Sequence, residues 1–347
     1  RGANILILDE PTAVLVPQEV EELFENLKNL VIQGVTILFI SHKLDEVMEI
    51  ADRISVMRGG KHIGTINKEQ ASKKILAEMM IGKDLPTPPT RESVISSENC
   101  LLLENFSGVS NLGKKPFEDI NLEIKKGEIC GIAGVEGNGQ RELSEAILGL
   151  YPIESGNIYL EDIEVTKLST RERRLTGISF IPEDRQSQGL VVESNLIENI
   201  ILGKQNSTVY SSKFKNVLFK NASKNSKDVV DNYDVKTPSV QTLALALSGG
   251  NQQKFVVGRE IDGKPRFLLA SQPTRGVDIG AQALIWDKLK EARDMGLGVL
   301  LISADLDELL GLSDKLYVIY EGKLVKQLEP KEATPEQLGS YMTGLGI

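Results

Sequence analysis

One stretch of this sequence occurs twice, and the second occurrence lacks acidic and histidine side chains that the first carries. Ile5–Gly82 aligns with Phe267–Gly344 without a gap, at one constant offset. The first copy reads ILILDEPTAVL, then TILFISHKLDE, then ADRISVMRGGK; the second reads FLLASQPTRGV, GVLLISADLDE and SDKLYVIYEGK. Asp9 thus corresponds to Ser271, Glu10 to Gln272 and His42 to Ala304. Pro11/Pro273, Thr12/Thr274, Ser41/Ser303, Leu44/Leu306, Asp45/Asp307, Glu46/Glu308 and Asp52/Asp314 are kept. A chain that repeats a segment in register must build the same substructure twice. The frame is kept and the chemistry is not, which predicts one working site and one silent site.

The repeat is domain-sized, unlike the ~20–50-residue units of a solenoid, so the chain is a tandem duplication. The second copy follows a long stretch, Cys100–Pro265, whereas the first follows only Arg1–Asn4. With an opening Arg1 in place of Met, this predicts the C-terminal part of a longer protein. The expected organisation is the end of a first domain over 1–84, a linker over 85–99 and a second domain over 100–347. The linker, LPTPPTRESVISSEN, is rich in proline and polar residues, as suits an exposed connection.

A net charge of −9 and a hydrophobic fraction of 41% are those of an ordinary globular protein. The acidic balance argues against nucleic acid as a partner. No apolar run approaches the ~20 residues of a membrane span, and no signal-peptide pattern is visible. Cys100 and Cys130 lack CxxC spacing. Both are expected to be reduced thiols, the first at the surface and the second in a buried strand.

Ile5–Leu8 and Val35–Ile40 are short apolar, partly β-branched runs, as expected of strands buried on both faces. Between them Val20, Leu23, Phe24, Leu27, Leu30 and Val31 recur at helical spacing. Glu128–Ala133 reads as a strand, Gly134–Gly139 as a glycine-rich turn, and Gln140–Leu150 as a helix with Leu143, Ala146, Ile147 and Leu150 on one face. Strand, glycine loop and helix together form a setting in which backbone N–H groups cradle phosphate. Lys204–Lys227 reads as a solvated connection, and His62 as a surface residue of a hairpin. Leu247–Lys254, LSGGNQQK, places adjacent glycines after a serine, which lets backbone N–H groups approach a phosphate closely.

LSGGNQQK resembles the ABC-transporter signature, ILILDEPT the Walker B strand and FISHKLDE the switch-histidine segment. The resemblance covers nearly the whole chain, with the motifs in the family's order. It implies an α/β P-loop NTPase fold, an ABC-type nucleotide-binding domain with a RecA-like core and a helical subdomain, here partially duplicated in tandem. It also implies ATP and Mg²⁺ as cofactors. Asp9 would hold the metal, Glu10 would orient the attacking water and His42 would contact the γ-phosphate, positioning that phosphoryl transfer requires. In the second domain Gly134, Gly137, Asn138, Gly139 and Gln140 would form the nucleotide cradle. There Gln140 replaces the phosphate lysine, Arg141 the Mg²⁺-binding hydroxyl residue and Glu183 the Q-loop glutamine. The family's domains pair head to tail. Ser248, Gly249 and Gly250, with Asp278 at the D-loop position where the first copy has Val16, would therefore complete the first domain's site.

A fused pair with a degenerate second half resembles the ATP-binding subunits of bacterial sugar and nucleoside importers. GIAGVEGNGQREL and SQPTRGVDIGA point to the nucleoside branch, since simple-sugar importers tend towards a GAGRTEL-like loop. The resemblance implies membrane permease subunits, a substrate-binding lipoprotein reached through them, and pairing with a second copy or with the chain's own missing N-terminal half. It places the protein peripherally at the cytoplasmic face of the cell membrane, and predicts little ATP turnover by this chain alone. A soluble tandem ABC ATPase acting on ribosomes is the alternative; that class keeps both sites and carries a long charged linker.

Overall fold

A computed structural model describes residues 3–12, 15, 17–41, 43–58, 60–81, 95–110, 112–213 and 216–346. The chain divides into two compact units, Arg1–Arg91 with Asp278–Ala283 and Glu92–Val277 with Leu284–Ile347.

In the first unit β1 (Ile5–Asp9) pairs in parallel with β2 (Thr36–Ile40), and the helix Pro17–Ile32 connects them. After the helix Leu44–Ile50, β3 (Arg53–Arg58) and β4 (Lys61–Asn67) form an antiparallel hairpin, followed by the helix Lys73–Ile81. A small core of Ile54, Val56 and Leu76 joins the hairpin to these helices. The connecting helix covers one sheet face, with Phe24 edge-on to Phe39 at 5.9 Å. The expectation that both strands are buried on both faces does not hold. Ile5 and Ile7 are 66% and 62% exposed, because a two-stranded sheet with one covering helix leaves its other face open. His62 is exposed in β4, as expected.

The second unit contains two sheets. β5 (Asn99–Gly108), β6 (Ile120–Lys125), β8 (Ile153–Leu160) and β9 (Ile163–Glu164) form an antiparallel sheet in the order β6-β5-β8-β9. The larger sheet comprises β7 (Ile129–Ala133), β10 (Ile178–Ile181), β11 (Phe267–Ser271), β12 (Gly298–Ser303), β13 (Lys315–Tyr320) and β14 (Lys323–Leu328). Its order is β10-β11-β12-β7-β13-β14, parallel except for the final hairpin. β7 and β12 are buried along their whole length, as helix-covered parallel strands are. Phe106, Phe117, Ile132, Leu143, Phe267 and Leu300 belong to one core between the sheets and the helix Gln140–Ile147.

The repeated sequence builds a repeated backbone. Asp9 pairs with Ile40 as Ser271 does with Ile302. The hairpins close at Arg58/Lys61 and Tyr320/Lys323, with irregularities at Val56/Met57 and Val318/Ile319.

Three further expectations are corrected. The helix after the glycine loop stops at Ile147, leaving Leu150 exposed. Buried Arg173 donates to the carbonyls of Ala146 and Ile147 at 2.6 and 2.7 Å, and Gly149 turns left-handed at φ 77°. Cys100 is fully buried in β5, where its thiol donates to the Arg266 carbonyl and packs where Gly298 has no side chain. Lys204 is held inside by the Arg259 carbonyl at 2.6 Å, and burial lowers its pKa. The rest of that stretch is largely solvated; the helix Phe219–Asn232 exposes Lys220, Lys224 and Lys227 while burying Ala222 and Val229. Among the described residues no helix is long and apolar enough to cross a membrane.

Burial pushes the Cys100 thiol up to about 12 and raises that of Cys130 as well, so neither forms the reactive thiolate. An aromatic disulfide reagent at pH 8 should label neither cysteine in the native protein and both in denaturant. Rapid native labelling at Cys100 would contradict its placement.

Candidate functional site

β1 ends at Asp9, which is exposed, and the chain then makes a sharp turn. Glu10 adopts a left-handed φ of 46°, and its N–H donates to the Ile40 carbonyl at 2.8 Å. The second copy repeats this: Gln272 has φ 48° and bonds the Ile302 carbonyl at 2.8 Å. A non-glycine residue at positive φ costs energy and persists only where its surroundings enforce it. The enforcing contacts come from a buried carboxylate. Thr12 Oγ1 and Ser41 Oγ donate to the two oxygens of Glu46 at 2.7 and 2.9 Å, tying the turn after β1 to the end of β2. Thr274 likewise donates to Glu308 at 2.7 Å, joined there by the Trp286 indole N–H at 3.1 Å. Glu46 and Glu308 were visible in the sequence only as kept neighbours; their two-copy survival was the available signal.

The copies differ beside that carboxylate. Lys43 Nζ lies 3.5 Å from Glu46, whereas the equivalent residue in the second copy is Asp305. Burial pushes Glu308 up to about 7, with the Asp305 charge acting in the same direction against hydrogen bonds from Thr274, Ser303 and Trp286. The polar roles also differ. Gln272 Oε1 accepts from Ser303 Oγ at 3.3 Å and from the Ala304 N–H at 3.2 Å, so its carbonyl is turned onto the position where the first copy has histidine. His42 lies outside the described residues.

The glycine loop of the second unit joins β7 to the helix Gln140–Ile147. Gly137 and Gly139 have φ of 94° and 97°, and a Cβ on Gly139 would sit 2.1 Å from the Pro116 carbonyl oxygen. Asn138 fastens the loop to the hairpin turn, accepting from Glu321 N at its side chain and from Gly322 N at its carbonyl. Gln140 folds back into the loop: Nε2 donates to the Val135 carbonyl at 2.9 Å and occupies the space a Cβ on Gly134 would need. Arg141 is paired with Glu145 at 2.9 Å. A neutral amide turned into the loop and a guanidinium paired along the helix thus follow the glycines.

Ser248 precedes the helix Gly249–Asp262 and is exposed, with Asn251 Nδ2 donating to its hydroxyl at 2.9 Å. Buried Gln253 donates to the Pro273 carbonyl at 2.7 Å, anchoring the signature helix beneath the turn after β11. The Arg185 guanidinium lies against Gly249. Arg185 stood in the sequence within ISFIPEDR, where only Glu183 was singled out. Asp278 accepts the Ala281 N–H at 2.9 Å and starts the helix Ile279–Asp294.

Known proteins resemble this arrangement. Residues 117–275, spanning both the glycine loop and the signature, match the family model described as ABC transporter. The chain is 43% identical over 345 residues to the guanosine import ATP-binding protein NupO of Bacillus subtilis, covering 99% of this chain and 67% of that protein. It is 39% identical to the nucleoside import ATP-binding protein NupA of Lactococcus lactis, covering 100% and 68%. It is 36% identical to the ribose import ATP-binding protein RbsA of Clostridium tetani, covering 98% and 66%. The chain therefore spans about two thirds of the length of these relatives. Among solved structures, the ATP-binding cassette MJ1267 of an ABC transporter superposes with a TM-score of 0.60 at 21% identity, over 73% of this chain and 100% of that one.

The Glu308 carboxyl generates a pH prediction. Its folded pKa, near 7, lies above the ordinary 4.5, so the folded state keeps a proton that the unfolded chain loses. Stability is full below about 4.5 and falls as pH rises to about 7, by at most ~3 kcal/mol. Urea unfolding at pH 5 and pH 8 should show this loss, and Glu308→Gln should flatten it. An unchanged pH slope in the variant would exclude Glu308 as its source.

Proposed function

This chain belongs to the ABC-transporter family, among its import ATP-binding subunits, and from that premise we propose that it powers nucleoside import through one composite ATP site. ATP binding and hydrolysis are the family's activity, and the substrate class follows the relatives that import guanosine and nucleosides. The observation that carries the asymmetry is the duplicated strand-end turn. The same backbone presents Asp9 and Glu10 in one copy, and Ser271 and Gln272 in the other.

In this reading Asp9 holds Mg²⁺ through its water shell. A single exposed carboxylate beside substrate phosphates suits that ion, which keeps several waters; the second copy offers no carboxylate at either position. The bound metal would neutralise charge developing on the phosphate oxygens. Glu10 accepts a hydrogen bond from the attacking water, and His42 donates to the γ-phosphate. Ser248, Gly249 and Gly250 present the opposing N–H groups and hydroxyl, and Asp278 closes the site. The second cradle, filled by Gln140 and backed by a neutral Gln272, lacks both the cation and the base. The partners in this reading are permease subunits, a substrate-binding lipoprotein and the domain supplying the first P-loop. The location is the cytoplasmic membrane face.

A panel in the full-length protein tests this. Glu10→Gln should cut ATP turnover by at least ~10²-fold, as loss of a general base does, while ATP binding is retained. Gln272→Ala should change turnover only a few-fold. Gly249→Asp should abolish turnover as well, since like charges ~4 Å apart repel by about 4 kcal/mol at an effective dielectric of ~20. Equal losses from Glu10→Gln and Gln272→Ala would overturn the asymmetry. Co-purification with ribosomes in place of a permease would overturn the importer reading.

A further inference from the structure

The turn that follows β10 and the turn that follows β11 hold each other by two contacts running in opposite directions. Arg185 reaches across to the second turn, with Nη1 donating to the Arg275 carbonyl at 2.9 Å and Nη2 to the Gly276 carbonyl at 3.4 Å. Arg275 reaches back to the first turn and pairs with the carboxylate of Glu183. The base of Arg185 is fixed by Asp184, which accepts the Gln186 and Ser187 N–H groups at 2.9 and 3.2 Å. The Arg185 guanidinium also forms one wall of the signature. A Cβ on Gly249 would lie 2.5 Å from its Nη2, so a side chain there would have to displace the guanidinium. Gln186 adds a bond to Gln252 at 3.1 Å.

The repeat shows that Arg275 and Gly276 are particular to the second copy. Where the first copy reads Thr12-Ala13-Val14, the second reads Thr274-Arg275-Gly276, and the family resemblance puts Glu183 where a glutamine is expected. A neutral glutamine could not form the ion pair with Arg275. Gly276, at φ 63°, turns the chain left-handed beneath the guanidinium, which a β-branched valine would resist. The half-exposed Glu183–Arg275 pair alone would contribute little. Arg185 contributes more, because removing it leaves two carbonyls and the Gly249 surface without their partner.

We propose that Glu183, Arg185 and Arg275 form a clasp that locks the signature turn to the turn leading into Asp278, making Arg185 a positioning residue for hydrolysis. This rests on the composite-site reading, in which Ser248, Gly249 and Asp278 serve one ATP. In this reading the three side chains hold the signature and the Asp278 turn, two contributions to that ATP, in fixed relation. Displacement of such groups by about 1 Å is enough to lower rates ~10²-fold.

The test uses the full-length ATPase assembled with its permease, measuring kcat, KM for ATP and melting temperature. Arg185→Ala should lower kcat on the order of 10–10²-fold with KM unchanged within about twofold. Arg185→Lys should not restore it, because a single ammonium cannot span both carbonyls as a planar fork does. Glu183→Arg and Arg275→Glu should each lower kcat, and the double reversal should regain most of the loss. The clasp is overturned if Arg185→Ala leaves kcat intact, if it raises KM alone, or if losses follow melting temperature with no recovery in the double reversal. Glu10→Gln, assayed alongside, separates the two readings. Turnover surviving in Glu10→Gln sinks the composite site, whereas turnover lost there but kept in Arg185→Ala sinks the clasp alone.

Discussion

A buried carboxylate holds two strand ends together in each copy of the repeat, and the geometry of the candidate site depends on it. Glu46 receives hydroxyls from Thr12 and Ser41, and Glu308 receives that of Thr274. A buried carboxylate without donors would be strongly destabilising, so the turn and the next strand end must stay where their hydroxyls can reach it. Residue 10, or 272, is thereby kept at a positive φ that its own side chain does not favour. Nothing in this restraint depends on whether that residue is an acid or an amide.

That independence explains how a site can lose its chemistry without losing its fold. Strand register, the hairpin irregularity and the turn dihedrals repeat between copies, while Asp9, Glu10 and His42 give way to Ser271, Gln272 and Ala304. Several polar side chains of the second unit are engaged within it. Gln272 bonds the backbone of Ala304, Gln140 bonds that of Val135, and Arg275 pairs with Glu183. Each of these three side chains is held by a partner within the chain.

The fold and the motifs were legible in the sequence because they rest on local pattern: apolar strand runs, glycine spacing, and a gapless repeat. What was missed depends on tertiary contact. The open face of β1 follows from how few strands its unit contains, which the Ile5–Leu8 pattern cannot report. The apolar spacing extends the helix to Leu150 because it cannot report Arg173, distant in sequence, which takes the helix's last carbonyls. The local sequence places Cys100 at the surface because its partners, Arg266 and Gly298, lie far along the chain. Arg185 carries no local signal for the same reason, since its partners are the carbonyls of the Arg275–Gly276 turn.

The central claim is that one ATP site works and the other is silent. Orthovanadate, which takes the place of the leaving phosphate after hydrolysis, can count working sites in the full-length protein assembled with its permease. After incubation with Mg²⁺-ATP and vanadate, the account predicts one ADP trapped per chain, with none in Glu10→Gln and one in Gln272→Ala. Two trapped per chain, or trapping that survives Glu10→Gln, would contradict it.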